Sequence, residues 1–316
     1  DFHDAQKQLG LPQMHTFISE SSNTTSGIMR TNGSDYFRKG STDRAGQATS
    51  DVIFGGGDDF EIGSYEGGSF MDGDIAELII YATPAGSTDQ SDLDQAKIQT
   101  YLALKYGQTL SNYDPTGDGE VSGDDNDFAE TTDGVGEGDY VLSTGALVWE
   151  GRGGSDDTAA TEGADYDYNN DVAGIGRDDG SANLDRRVGR SSNLGSVVTV
   201  ALDNDFTSPN DDATRTTTWA ADASWLVWGN DGKSRFFDRE MTTTNANLAS
   251  GRTWKARSTG TVPTVNVQLN DRNDRALDLT EGKTYYLVGD DNAAFSSPTE
   301  VASAVATKDA GTGEIT

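Results

Sequence analysis

The sequence predicts a mostly β protein of two antiparallel β-sandwich domains, with one helix at about residues 90–106. Three observations lead there. Apolar runs of strand length recur along the chain, each bounded by Gly, Asp, Asn or Ser. A single stretch repeats its apolar residues at convincing helical spacing. The acids are 40 Asp against 13 Glu, and short Asp side chains favour turns, where Glu suits a solvated helix surface.

Taken in order, the first fifty residues are polar, with strand candidates at Thr16–Ser19 and Gly27–Arg30. Asp51–Phe54 and Phe60–Gly63 follow, around a Gly55-Gly56-Gly57 turn. Ile75–Tyr81 is the strongest strand, and its Leu78-Ile79-Ile80 run predicts burial on both faces. For the helix, Ser87, Thr88 and Ser91 are cap candidates, and Asp92 and Asp94 suit the positive end of the dipole. Ile98, Tyr101, Leu102 and Lys105 predict one packing face, and Gly107 sits where a left-handed residue ends a helix.

Residues 111–138 are dominated by Asp, Gly, Thr, Ser and Glu, so they separate a first domain, 1–110, from a second, 139–316. Strands are predicted in the second at Tyr140–Leu142, Ala146–Trp149, Val172–Ile175, Val197–Leu202, Trp225–Trp228, Thr253–Arg257, Val262–Leu269 and Thr284–Val288.

A net charge of −30 excludes the basic footprint that nucleic-acid binding needs, so no nucleic-acid partner is expected. No run approaches 18 apolar residues, so no membrane span is predicted. Without Cys there is no disulfide, thiolate or Cys-ligated zinc, and two His, His3 and His15, do not make a His-rich centre. The composition fits a secreted bacterial surface protein better than a cytosolic enzyme. Adaptation to salty water is a second cause of the same acidity.

The sharpest local signal begins at Asp114. Set on a twelve-residue calcium loop, Asp114, Thr116 and Asp118 take positions 1, 3 and 5, Gly119 the turn, and Glu120 the carbonyl position. Ser122 takes position 9 and Asp125 position 12. Alternate residues of so tight a loop point at one cation, so Ca²⁺ is the expected cofactor. An acidic linker without metal is the competing reading. With Asp at position 12 the loop resembles those of dockerin modules, a likeness that carries the metal loop and not a partner.

Gly73-Asp-Ile-Ala-Glu-Leu-Ile-Ile-Tyr81, followed by Tyr101-Leu-Ala-Leu-Lys-Tyr-Gly107, resembles the C-terminal end of laminin-G-like, concanavalin A-type jelly rolls of bacterial surface proteins. That likeness implies a jelly-roll-like first domain, lacking its N-terminal strands because a full jelly roll exceeds 110 residues. A further series, Tyr168-Asn-Asn-Asp171 to Arg177-Asp178-Asp179, Trp225–Asp231, Arg252–Lys255 and Tyr285–Asp291, resembles an uncharacterised β-rich domain that follows such jelly rolls in adhesins. In it Asp171, Asp178 and Asp179 are candidates for a second calcium, though such residues more often cap turns, with Arg177 a bridge between acids or a ligand contact.

Gly55–Gly57 and Gly174-Ile-Gly176 lack the strand, helix and Lys order of a phosphate loop. Asp74 and Glu77 are three apart, on opposite faces of a strand, so they do not form the carboxylate pair of a glycosidase. No enzyme activity is expected. Tyr65, Tyr166, Tyr168 and Trp219 stand in polar contexts as candidates for stacking on sugars, whereas Trp149, Trp225, Trp228 and Trp254 lie in strand patterns as core. The expected role is a calcium-stabilised extracellular module of a bacterial surface protein or adhesin, with carbohydrate or a surface polymer as ligand class. A self-assembling subunit of a filament, sheath or surface layer is the alternative.

Overall fold

Antiparallel strands and a single helix make up the regular structure of the described residues of this computed structural model: 12–19, 27–32, 34–38, 64–65, 69–70, 74–81, 92–110, 138–151, 168–193, 195–237, 239–240, 248–269, 281–290 and 299–305. The fold is mostly β, as expected. The chain divides into two units, one of His15–Thr31 and Asp35–Ser91, the other of Asp1–Met14, Asn32–Ser34 and Asp92–Thr316.

In the smaller unit, β1 (His15–Ser19) pairs with β2 (Gly27–Thr31), and β3 (Ser34–Arg38) completes the order β1-β2-β3. A hairpin joins β4 (Ser64–Tyr65) to β5 (Ser69–Phe70). Residues 74–81 differ from expectation: they belong to no strand, and Ile75, Leu78, Ile80 and Tyr81 are exposed. Apolar content predicts burial only where another layer or strand supplies the cover. The candidates Asp51–Phe54 and Phe60–Gly63 lie outside the described residues.

The larger unit is built on a four-stranded sheet of order β15-β12-β8-β9. Its strands are β8 (Asn170–Asp178), β9 (Leu184–Arg186), β12 (Ser224–Asn230) and β15 (Trp254–Thr259). Five consecutive residues of β8, Val172–Gly176, are buried. Because side chains alternate across a sheet, such a run demands a layer on each side. Both layers are present.

On one side lie α1 (Asp92–Tyr106) and the hairpin of β6 (Tyr140–Val141) with β7 (Leu147–Trp149). Leu104, Tyr140, Leu142 and Trp149 pack there with Val172, Leu184, Trp225 and Val227 of the sheet. On the other side is a three-stranded sheet, β10 (Val188–Arg190), β11 (Val198–Ala201) and β16 (Asn266–Leu269). Here Ala173, Ile175 and Trp228 meet Val198, Val200 and Trp219, with Leu226, Trp254 and Leu269 at the margin. Sheet against sheet is the sandwich, and the helix and hairpin form a third layer.

The sequence reading placed the helix with residues 1–110, yet it packs on β6, β8 and β9, strands that follow it. Its face also differs. Ala96, Gln99, Thr100, Ala103, Leu104 and Gly107 are buried, whereas Ile98, Tyr101, Leu102 and Lys105 are half-buried. The buried face lies against β8, where Gly174 leaves room for it: a Cβ there would lie 2.8 Å from Leu104 Cδ2. Gly107, at φ +66°, ends the helix as predicted, and the Gln108 N–H reaches back to the Ala103 carbonyl at 2.9 Å.

One residue, Arg187, separates β9 of the first sheet from β10 of the second. The remaining short strands are β13 (Arg239–Glu240) with β14 (Leu248–Ala249), and β17 (Thr284–Gly289) with β18 (Thr299–Val305). Phe237 meets the ring of Tyr285 at 5.3 Å between centroids.

Candidate functional site

The calcium-loop residues Asp114, Thr116, Asp118, Glu120, Ser122 and Asp125 lie outside the described residues, as does Tyr166. Tyr65 is in β4. The other candidates have defined surroundings.

Asp171, the second residue of β8, has a left-handed conformation, φ 51°, which Asp tolerates better than most residues. Its carboxylate accepts from Asn193 Nδ2 at 3.1 Å, Asn230 Nδ2 at 2.9 Å and Arg252 Nη1 at 3.1 Å. The ion pair is largely enclosed, with side-chain exposures of 12% for Arg252 and 13% for Asp171. Arg252 also donates through Nε to the Lys233 carbonyl at 2.8 Å, so one guanidinium ties β8 to the turn after β12. Burial draws its pKa down, and Asp171 opposes that.

Asp178 closes the same strand, fully buried on the helix side of the sheet. It accepts from the Ser143 N–H at 2.8 Å, from Ser143 Oγ, and from Ser181 Oγ at 2.8 Å. Thus it pins the β6–β7 turn to the sheet. Asp179 takes a two-pronged contact from Arg177 Nε and Nη2, both at 2.7 Å, and that bond holds its carboxyl below the usual range.

These positions set Asp171 apart from Asp178 and Asp179. Seven residues of extended strand, about 23 Å at the usual rise, separate Asp171 from Asp178. Each carboxylate already binds N–H, O–H or guanidinium donors. Among the described residues no three His, Cys, Asp or Glu cluster to hold a metal. The acids are caps and bridges here, and Arg177 bridges to Asp179.

The stacking candidates are corrected in part. Trp219 is core, 3% exposed, and its Nε1 donates to the Arg186 carbonyl at 2.9 Å. A strand-poor polar context did not predict this, because the ring folds back onto Val198 and Val200 from a distant turn. Tyr168 is half-buried against the helix-side core, with Lys255 Nζ 5.9 Å from its ring centre. Trp149, Trp225 and Trp228 are buried as expected, and Trp254 lies at the core margin.

Sequence reasoning missed two arginines. Arg215 has no exposed side-chain surface and bonds four oxygens of residues 203–209. Arg186 sits opposite Gly176 in the β8–β9 register, beside Trp225. Its Nε is buried without a hydrogen-bond partner, and burial pulls its pKa down to about 10. The acids beside Arg215 were the only available signal, and they read as ordinary turn formers.

Residues 94–315 match the family described as Domain of unknown function (DUF8202), a span that runs from the helix through the last strand. No curated protein matches the chain, and no solved structure does. No helix among the described residues is long and apolar enough to cross a membrane.

Proposed function

The chain belongs to the DUF8202 family, and we propose that it serves as a calcium-stabilised extracellular β-sandwich module of a bacterial surface protein or adhesin. The observation that carries this reading is the use made of acidic side chains. Asp171, Asp178, Asp203 and Asp231 each fasten one segment of the larger unit to another through donors distant in sequence. Such cross-links suit a module whose task is to hold shape under load. Asp114–Asp125 supply the oxygen spacing for a cation in the same style, with the metal in the donor's role.

In this reading calcium neutralises crowded carboxylates at 114–125, and the sandwich presents a surface to carbohydrate or another surface polymer. The likeness of residues 73–110 to laminin-G-like jelly rolls supports the extracellular setting. Catalysis is not part of the proposal.

Thermal unfolding of the full chain tests it. Millimolar calcium raises the melting temperature by several degrees, as binding to the native state alone requires. Chelator reverses the rise, and Asp114→Ala with Asp118→Ala abolishes it. An identical melting curve in calcium and in chelator would reject the metal.

A second reading, a self-assembling subunit, draws on β17–β18. Among the described residues this hairpin stands as a two-stranded sheet, and Leu287, Val301 and Val305 are exposed on it. Open strand edges favour edge-to-edge pairing. Ultracentrifugation and electron microscopy with calcium separate the two readings, since ordered polymers favour the subunit and monodisperse monomers the adhesin module.

A further inference from the structure

Trp225, Gly176 and Arg186 stand side by side on three adjacent strands. Ser224 of β12 pairs with Arg177 of β8, so the antiparallel register carries Trp225 beside Gly176. Gly176 in turn pairs with Arg186 of β9. Paired residues face the same side of a sheet. Trp225 and Leu184, two residues from Arg186, identify that side as the helix side. The glycine leaves its side-chain place empty, and the indole leans across it: a Cβ on Gly176 would lie 2.1 Å from Trp225 Cδ2. The ring thereby approaches Arg186, whose Cβ belongs about 5 Å from that same place.

Both neighbours lack an acceptor. Trp225 is 0% exposed and its Nε1 has no hydrogen-bond partner, and Arg186 Nε is likewise buried without one. Arg186 also lacks a counter-charge. The enclosed guanidiniums of Arg215 and Arg252 have Asp203 and Asp171. Among the described residues no acid pairs with Arg186, and burial alone acts on its charge. Asp178, two residues beyond Gly176 on the same face, gives its oxygens to Ser143 and Ser181.

A buried donor without an acceptor is unfavourable, and a buried charge without a partner more so. A water between the two nitrogens answers the N–H groups and leaves the charge. A polyatomic anion brings further oxygens, each needing a donor of its own once buried. A single small anion accepts from both nitrogens and balances the guanidinium.

We propose that Arg186 Nε and Trp225 Nε1 hold a small inorganic anion of the halide class on the helix side of the sheet. The site goes beyond the proposed function, since it requires neither calcium nor a polymer ligand.

Thermal unfolding of the full chain in chelator tests it, with sodium chloride set against sodium gluconate at equal ionic strength. Gluconate is too large to enter. Chloride raises the melting temperature by a few degrees and the rise saturates, as binding to the native state alone requires. Bromide acts alike. Arg186→Met keeps the length of the side chain without charge or donor, and the difference between the salts disappears. Trp225→Phe raises the half-saturating chloride concentration about tenfold, for one lost hydrogen bond to a charge.

A wild-type crystal soaked in bromide covers the case in which R186M or W225F does not fold. Its anomalous map has a peak within hydrogen-bond reach of both nitrogens. Equal melting temperatures of the wild type in the two salts would overturn the site, as would a chloride response that survives in R186M. A water without anomalous signal between the nitrogens would do the same. Chelator is present throughout, so failure here and failure of calcium at 114–125 are separate results.

Discussion

The side-chain oxygen of Asn210 accepts the backbone N–H of Arg187 at 2.6 Å. It also accepts that of Val188 at 2.9 Å. These two amides lie where the chain leaves β9 in one sheet and enters β10 in the other. The carbonyls of the corner are met as well, that of Arg186 by Trp219 Nε1 and that of Arg187 by the Leu202 N–H, both at 2.9 Å. A strand that changes sheets leaves its ladder, and each freed backbone group then needs another partner. Residues 202–219 supply them all. The corner and the 203–209 segment bound by Arg215 are therefore one structure, joined further by Arg187 Nη1 on the Arg215 carbonyl at 3.2 Å.

Asn210→Ala strands two half-buried amides and costs about 1–3 kcal/mol. Asn210→Asp keeps an acceptor and loses much less. Urea denaturation followed by tryptophan fluorescence measures both. Equal losses in the two variants would show that the side chain does not hold the corner.

From a buried position Asp178 holds the β6–β7 turn by two bonds from Ser143 and its own turn by one from Ser181. Asp178→Ala leaves the Ser143 N–H and two hydroxyls unpaired, for about 2–4 kcal/mol, while Ser143→Ala removes one bond and costs about 1 kcal/mol. In the double variant the losses fall short of additive, because the partners share one network.

Gly176 lies beneath the ring of Trp225: a Cβ there would stand 2.1 Å from Cδ2. Gly176→Ala forces a fully buried indole to move and destabilises by about 1–3 kcal/mol. Trp225→Leu makes room, so the alanine adds less in that background. A double-mutant cycle in thermal unfolding reads the coupling, and strict additivity would contradict the contact.

The pH profile has a limb on each side. Burial raises the Tyr140 phenol above its ordinary 10.0, so its contribution is whole below pH 10 and is lost as pH climbs further. The hydroxyl also bridges the Leu110 N–H at 2.9 Å and the Gln108 carbonyl at 3.0 Å. Asp205 is held below its ordinary 3.8 by hydrogen bonds from Ser208 and then Thr207, and Asp212 by bonds from Thr214. Their contribution is whole above that value and is lost as pH falls toward the folded pKa. Tyr140→Phe flattens the alkaline limb of melting temperature against pH, and Asp205→Asn the acid limb. A mutant curve parallel to wild type on its own limb would refute that assignment.

Strand positions were legible because alternation and turn residues are local. Val198–Ala201, Ser224–Asn230, Trp254–Thr259 and Thr284–Gly289 fall on or beside their predicted runs. The short strands β9 and β10 were not, since Leu184-Asp-Arg186 and Val188-Gly-Arg190 carry one apolar residue each. Their pairing comes from β8 and β11, not from their own pattern.

The sequence by itself determined a mostly β chain, the place of α1 and the glycine that ends it. All of these rest on residues within a turn or two of one another. Only the tertiary structure decided what the acids and aromatics do. Asp171 finds its partners 22, 59 and 81 residues away, and Trp219 covers a sheet whose strands lie on either side of it in sequence. A carboxylate's role depends on which donor the fold brings within 3 Å, and that meeting is set by the packing of layers, not by neighbours along the chain.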